Sequence, residues 1–312
     1  TGMATIANMG AEVGATTSIF PYQQAHKRYL HATQRKEIAD AADIALNQYG
    51  YLKADQGAHY DHIIEINLST LEPHINGPYT PDLSTSINKY GEKSMIENWP
   101  QKISVGLIGS CTNSSYQDMS RVIDLVNQAA NVGLKPKIPF FVTPGSEQIR
   151  ATLQRDGIIQ KFEDNGAVVL ANACGPCIGQ WDRTDISKDS KEVTSIFTSF
   201  NRNFRARNDG NRNPMNFLTS PEIVTAMSYS GNAQFNPLKD SIKLPNGKLF
   251  KFNPPKGDEL PQRGFEHGRS IFYPELDPIP NPNVQVKVSP TSDRLQLLEP
   301  FKPWNGKELK TN

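Results

Sequence analysis

The stretch Ser104-Val105-Gly106-Leu107-Ile108-Gly109-Ser110-Cys111-Thr112-Asn113-Ser114-Ser115-Tyr116 decides how the chain is read. Residues 104–108 form a short apolar run that reads as a buried strand. Residues 109–115 are small and polar, and a helix is read over 116–130. Working outward, the alternation returns as strand 138–143, helix 146–155, strand 167–170 and strand 193–200. A further helix starts at Ser220, with Pro221 at its first position and Glu222 favouring the dipole. Strands alternating with helices imply an α/β fold of layered domains with mostly parallel sheets.

Ahead of this core, Ile38, Ala41, Ala42, Ala45 and Tyr49 fall at helix spacing over 33–50, with Thr33 placed as the N-cap and Gly50 as the stop. Residues 63–68 read as a strand, and 73–83, with three prolines and Gly77, suit a connection. The expected division is therefore 1–75, the later part of one α/β domain, and 76–265, a second. Ten of the 23 prolines lie between Pro254 and Pro303, so 266–312 are expected to be an extended Pro-rich linker.

Composition narrows the possible functions. A chain of 312 residues exceeds what one core usually organises and suggests about two domains. Thirty-three Lys and Arg against 32 Asp and Glu leave a formal charge of +1, so no net field gathers nucleic acid or an anionic membrane, and any anion site must be local. No apolar run approaches the roughly 18–20 residues that span a bilayer, and a soluble monomer without a membrane partner is expected. Three cysteines, an odd count, do not make a disulfide scaffold and suit a reducing compartment. The chain opens at Thr1 without an initiator Met, as a processed chain or a piece of a longer one would.

Two groups carry chemistry. Cys111 follows strand 104–108, and Cys174-Gly175-Pro176-Cys177 follows strand 167–170. In an open parallel sheet the carboxyl ends share one edge, where ligands bind, so the three sulfurs are expected to converge. A closed zinc site needs four ligands, and His26, His31, His59, His62, His74 and His267 all lie outside the cysteine region. A 4Fe-4S cluster takes one thiolate per iron, so three would leave one iron open to act as a Lewis acid. Cys-Gly-Pro-Cys is also a thioredoxin-type redox motif, although there it opens a helix and here Ile178-Gly179 follow. On pattern alone a metal or cluster, a redox dithiol and inert thiols all stay open.

The second group is 201–212, with Arg202, Arg205, Arg207 and Arg212 against one acid, Asp209. Guanidinium forks bind carboxylates through paired hydrogen bonds, and this loop leaves the same sheet edge as the cysteines. A solvated arginine loop and an RNA contact are the alternatives. Residues 1–18 add Asn8 and Glu12; taken alone, they read as a cap or turn residue and a solvent-facing carboxylate.

With Asn8-Met9-Gly10-Ala11-Glu12, His74-Ile75-Asn76-Gly77-Pro78, the run 106–114, Pro144-Gly145-Ser146, Ala173-Cys174-Gly175-Pro176-Cys177-Ile178-Gly179 and Asn201-Arg202-Asn203-Phe204 in this order, the chain resembles the aconitase family of iron-sulfur hydro-lyases along almost its whole length. The mitochondrial type is the nearest. The resemblance implies that Cys111, Cys174 and Cys177 hold one 4Fe-4S cluster whose fourth iron is not ligated by cysteine. It implies that Arg202 and Arg207 bind carboxylates of a small polycarboxylate substrate, that Asn8 and Asn201 support the cluster region, and that Glu12 joins the catalytic hydrogen-bond network. A mitochondrial matrix location is implied too. Family members are longer: an N-terminal domain supplies histidine and aspartate, and a C-terminal swivelling domain supplies a serine base and more arginines. The segment alone is thus expected to be inactive.

The activity implied is dehydration and hydration of a tricarboxylic hydroxy acid. Where the family has a small neutral pair, this chain has Arg205-Ala206, and Asn211-Arg212-Asn213-Pro214 also departs. Citrate to isocitrate through cis-aconitate, and homocitrate to cis-homoaconitate in lysine synthesis, are both left open, with Arg205 and Ala206 as candidates for setting the preference.

Overall fold

The computed structural model describes residues 1–183, 186–187, 190–268 and 280–307. Three helices come first, α1 (Gly2–Glu12), α2 (Gln24–Ala32) and α3 (Lys36–Tyr49). Then follow β1 (His74–Asn76), β2 (Ser84–Ser86), α4 (Ile87–Ile96), β3 (Ile103–Ile108), α5 (Tyr116–Ala130) and β4 (Phe140–Val142). Next come α6 (Glu147–Arg155), α7 (Ile158–Asp164), β5 (Val168–Val169), β6 (Ser195–Thr198), β7 (Met215–Leu218) and α8 (Pro221–Ser230), before the hairpin β8 (Ile242–Lys243) and β9 (Leu249–Phe250). Residues 1–272 form one compact unit and 273–312 another. The boundary expected near 75 falls on β1.

Among the described residues, seven strands form one sheet in the order β2-β1-β7-β6-β3-β4-β5. The five from β7 to β5 run parallel, while β1 is antiparallel to both its neighbours. From β3 the chain builds outward to β4 and β5, then crosses back to place β6 and β7 on the other side of β3. That reversal is a switch point, and the loops leaving β3 and β6 diverge at the sheet's carboxyl edge, where α/β folds of this kind bind ligands.

Period-two alternation sends side chains to two cores. On β4, Phe140 and Val142 face one core and Phe141 the other; on β6 and β7, Phe197 and Phe217 separate likewise from Ile196 and Leu218. Phe197 stacks on Phe217 at 5.3 Å, and Tyr90 of α4 meets Phe217 edge-on at 5.6 Å. This larger core also takes residues of α5, α7 and α8. The opposite face is covered by a thinner layer, Cys177 and Phe200 with Trp181, so the cysteine loop is part of the packing.

Cap chemistry fixes where the helices after the strands begin. Ser115 Oγ accepts the Asp118 N–H at 3.3 Å, and the Asp118 carboxylate accepts the Ser115 N–H at 3.0 Å, a reciprocal capping box. Ser146 and Ser220 accept from Ile149 and Ile223 in the same way. Gly50 ends α3 with φ of 76°, as the sequence implies. Thr33, however, closes α2 rather than opening α3, whose N-cap is Arg35. An unread α2 ends there, and the Thr33 hydroxyl turns back to the Tyr29 carbonyl at 2.8 Å.

The strand read at 63–68 is absent. Among the described residues, 59–66 make no backbone hydrogen bond, and Ile64, Ile66 and Leu68 are exposed. A strand is a paired structure, and no neighbouring strand is within reach of this one. Residues 280–307 carry no helix or strand.

Candidate active site at the carboxyl edge of the sheet

Three loops meet at this edge, from β3 (109–115), β5 (170–180) and β6 (199–214). The first is pinned by Ser199, a fully buried residue just past β6. Ser199 Oγ accepts the Gly109 N–H at 3.2 Å, and Asn113 Nδ2 donates to the Ser199 carbonyl at 2.9 Å. Asn113 takes φ of 55°, a left-handed turn that asparagine tolerates, and so reverses the chain ahead of the capping box. Gly145 closes against the same loop, its N–H 3.1 Å from the Ser114 carbonyl, where a side chain would collide.

The cysteine loop is tied to the arginine loop. Asn208, buried, donates from Nδ2 to the Pro176 carbonyl at 3.1 Å. A Cβ at Gly179 would lie 3.4 Å from the carbonyls of Ala206 and Arg207. Cys177 is buried, whereas Cys111 and Cys174 are exposed. Burial pushes the Cys177 thiol above its ordinary value; the Ser110 hydroxyl and the Arg207 guanidinium pull it down, and the sulfurs of Cys111 and Cys174 push it up again. Cys111, Cys174 and Arg207 thus all act on Cys177. Among the described residues, no three His, Cys, Asp or Glu side chains stand close enough to hold a single metal ion. That spacing is not the one a cubane needs, since each thiolate binds a different iron. No helix opens at Cys174; a run of turns, 175–179, follows it, unlike the redox dithiol motif.

The amino-terminal helix closes the other side. Asn8 and Glu12, four residues apart, lie on one face of α1. Asn201 Nδ2 donates to Asn8 Oδ1 at 2.9 Å and approaches Glu12 Oε1 at 3.4 Å, and Arg202 Nε donates to Glu12 Oε2. Both carboxylate oxygens of Glu12 thus accept. Arg202 is held from its Nε side, and among the described residues its terminal nitrogens have no partner. Arg207 is left barer still: its Nε is buried with no partner, as is the Ser110 hydroxyl, which faces only sulfur. An arginine fork without an acid, as at Arg207, is what a carboxylate ligand requires.

The departures from the family pattern lie off this line. Arg205 stacks its guanidinium over Tyr79 at 4.2 Å and donates to the Arg212 carbonyl at 3.4 Å. Ala206 adopts φ of 63°, where glycine is easier. Arg202 is thus held by Glu12 and Arg205 by Tyr79. The sequence reading missed the residues that sew the loops together, namely Ser199, Asn203 and Asn208. For the two asparagines the signal is the density of asparagine over 201–213, whose amides span turns. Asn203, for example, donates to the carbonyls of Thr80 and Asn216, both at 3.1 Å.

A sequence model of the aconitase family (aconitate hydratase) matches residues 1–231. Along its whole length the chain is 78% identical to the mitochondrial homocitrate dehydratase of Saccharomyces cerevisiae, of which it covers 40%. It is 56% identical to the mitochondrial aconitate hydratase of the same yeast, over 99% of this chain and 39% of that protein. A putative mitochondrial aconitate hydratase of Emericella nidulans is 57% identical over 99% of the chain. The chain thus spans about two fifths of the length of these relatives. Its α/β architecture, ordered motifs and this depth of identity establish that the chain belongs to the aconitase family.

Proposed function

We propose that residues 1–312 are the cluster-holding part of a mitochondrial hydro-lyase that dehydrates homocitrate to cis-homoaconitate. The observation that carries this reading is Arg207, whose Nε is buried with no partner among the described residues and whose charge acts on Cys177, as do the sulfurs of the other two cysteines. An uncompensated guanidinium that acts on a thiol suits a site that takes up both a metal cluster and an anion. The 78% identity to a homocitrate dehydratase, against 56% to the aconitate hydratase of the same yeast, supports homocitrate over citrate.

The residues fit a 4Fe-4S cluster. Cys111, Cys174 and Cys177 would each hold one iron, and the fourth would be left without a cysteine. When bound, that open iron supplies a Lewis acid for the substrate hydroxyl. The chain's own side chains do the rest of the positioning. Arg207 and the free end of Arg202 bind substrate carboxylates in paired hydrogen bonds. Glu12 accepts from Arg202 and so orients it, and Asn201 is oriented in turn by Asn8. Cys177, Trp181 and Phe200 keep water from the underside of the site. Removal of the substrate proton falls to a base outside 1–312, so the segment alone is inactive.

The test is kcat/KM for homocitrate, citrate and isocitrate in the full-length protein. Homocitrate is expected to be preferred, and a single methylene in a pocket is worth about 1–3 kcal/mol, roughly ten- to two-hundredfold. Preference for citrate would assign ordinary aconitase activity instead. Turnover by residues 1–312 alone after iron-sulfur reconstitution would contradict the division of labour.

A further inference from the structure

The three cysteines are tethered in different ways. Ser199 holds the loop of Cys111, and Asn208 holds the chain next to Cys177 through the Pro176 carbonyl. Residues 171–174 are exposed and, among the described residues, make one hydrogen bond outside their own loop: Asn172 Nδ2 donates to Glu147 Oε2 at 2.8 Å. Glu147 is the first residue of α6, and Arg150 grips it as a fork. Arg150 Nε donates to Oε1 at 3.0 Å and to Oε2 at 2.8 Å, and its Nη2 donates to Oε1 at 2.6 Å, so the plane of the carboxylate that Asn172 meets is fixed. Two residues earlier, the Gly145 N–H donates to the Ser114 carbonyl, in the loop of Cys111, at 3.1 Å. β4 lies between β3 and β5, whose outgoing loops carry Cys111 and Cys174, and the connection that leaves it, 143–147, therefore touches both loops.

We infer that Glu147 is a positioning residue that, through Asn172, sets where Cys174 stands relative to Cys111. The inference rests on the reading of the three cysteines as cluster ligands and adds the device that spaces two of them. A cluster is rigid, so ligands presented at the wrong separation must be drawn into place when it binds, and groups that orient metal ligands carry part of the affinity. A hydrogen bond from an amide to a carboxylate is stronger than one between neutral groups, which suits it to hold an otherwise exposed stretch. Its chemistry can also be exchanged. An amide at 147 and a carboxylate at 172 make the same bond with donor and acceptor reversed, and still leave one carboxylate in the pair. A contact that only filled space would gain nothing from that exchange.

The experiment uses full-length protein carrying its cluster. The readout is the rate of iron release to the chelator ferrozine, with the thermal unfolding midpoint measured on every variant. Asn172→Leu, close in size but unable to donate, is expected to release iron about tenfold faster than the parent at an unchanged midpoint. Asn172→Asp, which sets two carboxylates face to face, is expected to be at least as fast. The double variant Glu147→Gln, Asn172→Asp should return to within about threefold of the parent. Parental release from both single variants, or a double variant as fast as Asn172→Asp alone, overturns the proposal. So does a fall in midpoint shared by all three variants, which marks the contact as structural only. If Asn172→Asp takes up no cluster, Asn172→Leu and the double variant decide by the same limits. Cys174→Ser separates the two layers of the argument. Release at the parental rate overturns the ligand reading and this inference together, whereas faster release from Cys174→Ser with parental release from the Asn172 variants overturns this inference alone.

Discussion

Residues 195–198 and residues 63–68 both carry branched apolar side chains at strand spacing, and they end up in opposite states. In β6, Ile196 and Phe197 are fully buried, with β3 on one side, β7 on the other, and a core against each face. Ile64 is 83% and Leu68 79% exposed, with no strand beside them. The difference is supply of neighbours. An alternating pattern specifies which face a strand will bury, but hydrogen-bonding partners must come from other chain, and an exposed apolar stretch of this kind marks a surface meant to be covered. Family relatives more than twice as long provide material for that cover.

The largest effect expected from breaking this contrast lies at the edge of the paired region. Cys111→Ala in the full-length protein should lower cluster affinity by more than about a hundredfold, read as loss of iron and acid-labile sulfide. Retention of both would remove the loop after β3 from the metal site. Next comes the core beneath it: Phe217→Ala is expected to cost about 3–5 kcal/mol in urea unfolding of the 312-residue chain, because it empties a site packed by Tyr90, Trp99 and Phe197. A cost below about 1 kcal/mol would mean that the sheet is not the organising core.

Smaller effects sharpen the same comparison. Ser115→Ala, which removes the cap of α5, should cost about 1 kcal/mol. Ile64→Ser should change the stability of the 312-residue chain by less than about 0.5 kcal/mol, since its side chain is already in water. A cost several times larger would show that residues 63–68 are packed after all. In the full-length protein, by contrast, amides 63–68 should gain protection from hydrogen exchange.

Legibility in the sequence follows the same line. Helix 116–130 and the helix after Ser220 were readable because caps and apolar spacing are local, and α5 spans Tyr116–Ala130 as read. The strand at 104–108 was readable because both faces are buried, which gives a near-continuous apolar run, and 193–200 because Val193, Ile196, Phe197 and Phe200 alternate with β-favouring Thr and Ser. β7 was missed: Met215-Asn216-Phe217-Leu218 is short, and Asn216 breaks the run while serving the arginine loop, its Nδ2 donating to the Phe204 carbonyl at 3.3 Å. β1 and β2, three residues each, are too short to show a period. In the site, residue types with strong chemistry stood out, the cysteines and arginines above all. Pairings across long separations, such as Asn201 with Asn8 or Arg183 with Asp209, leave no local signature.

Two loops at one sheet edge carry Cys111, Cys174 and Cys177, the proposed ligands of a cluster with one open iron. Mössbauer spectroscopy of the full-length protein, reconstituted with enriched iron and recorded with and without homocitrate, tests it most directly. One iron distinct from the other three, whose signal alone shifts when homocitrate is added, is the predicted result. Four equivalent irons unmoved by homocitrate, or zinc in place of iron, would contradict it.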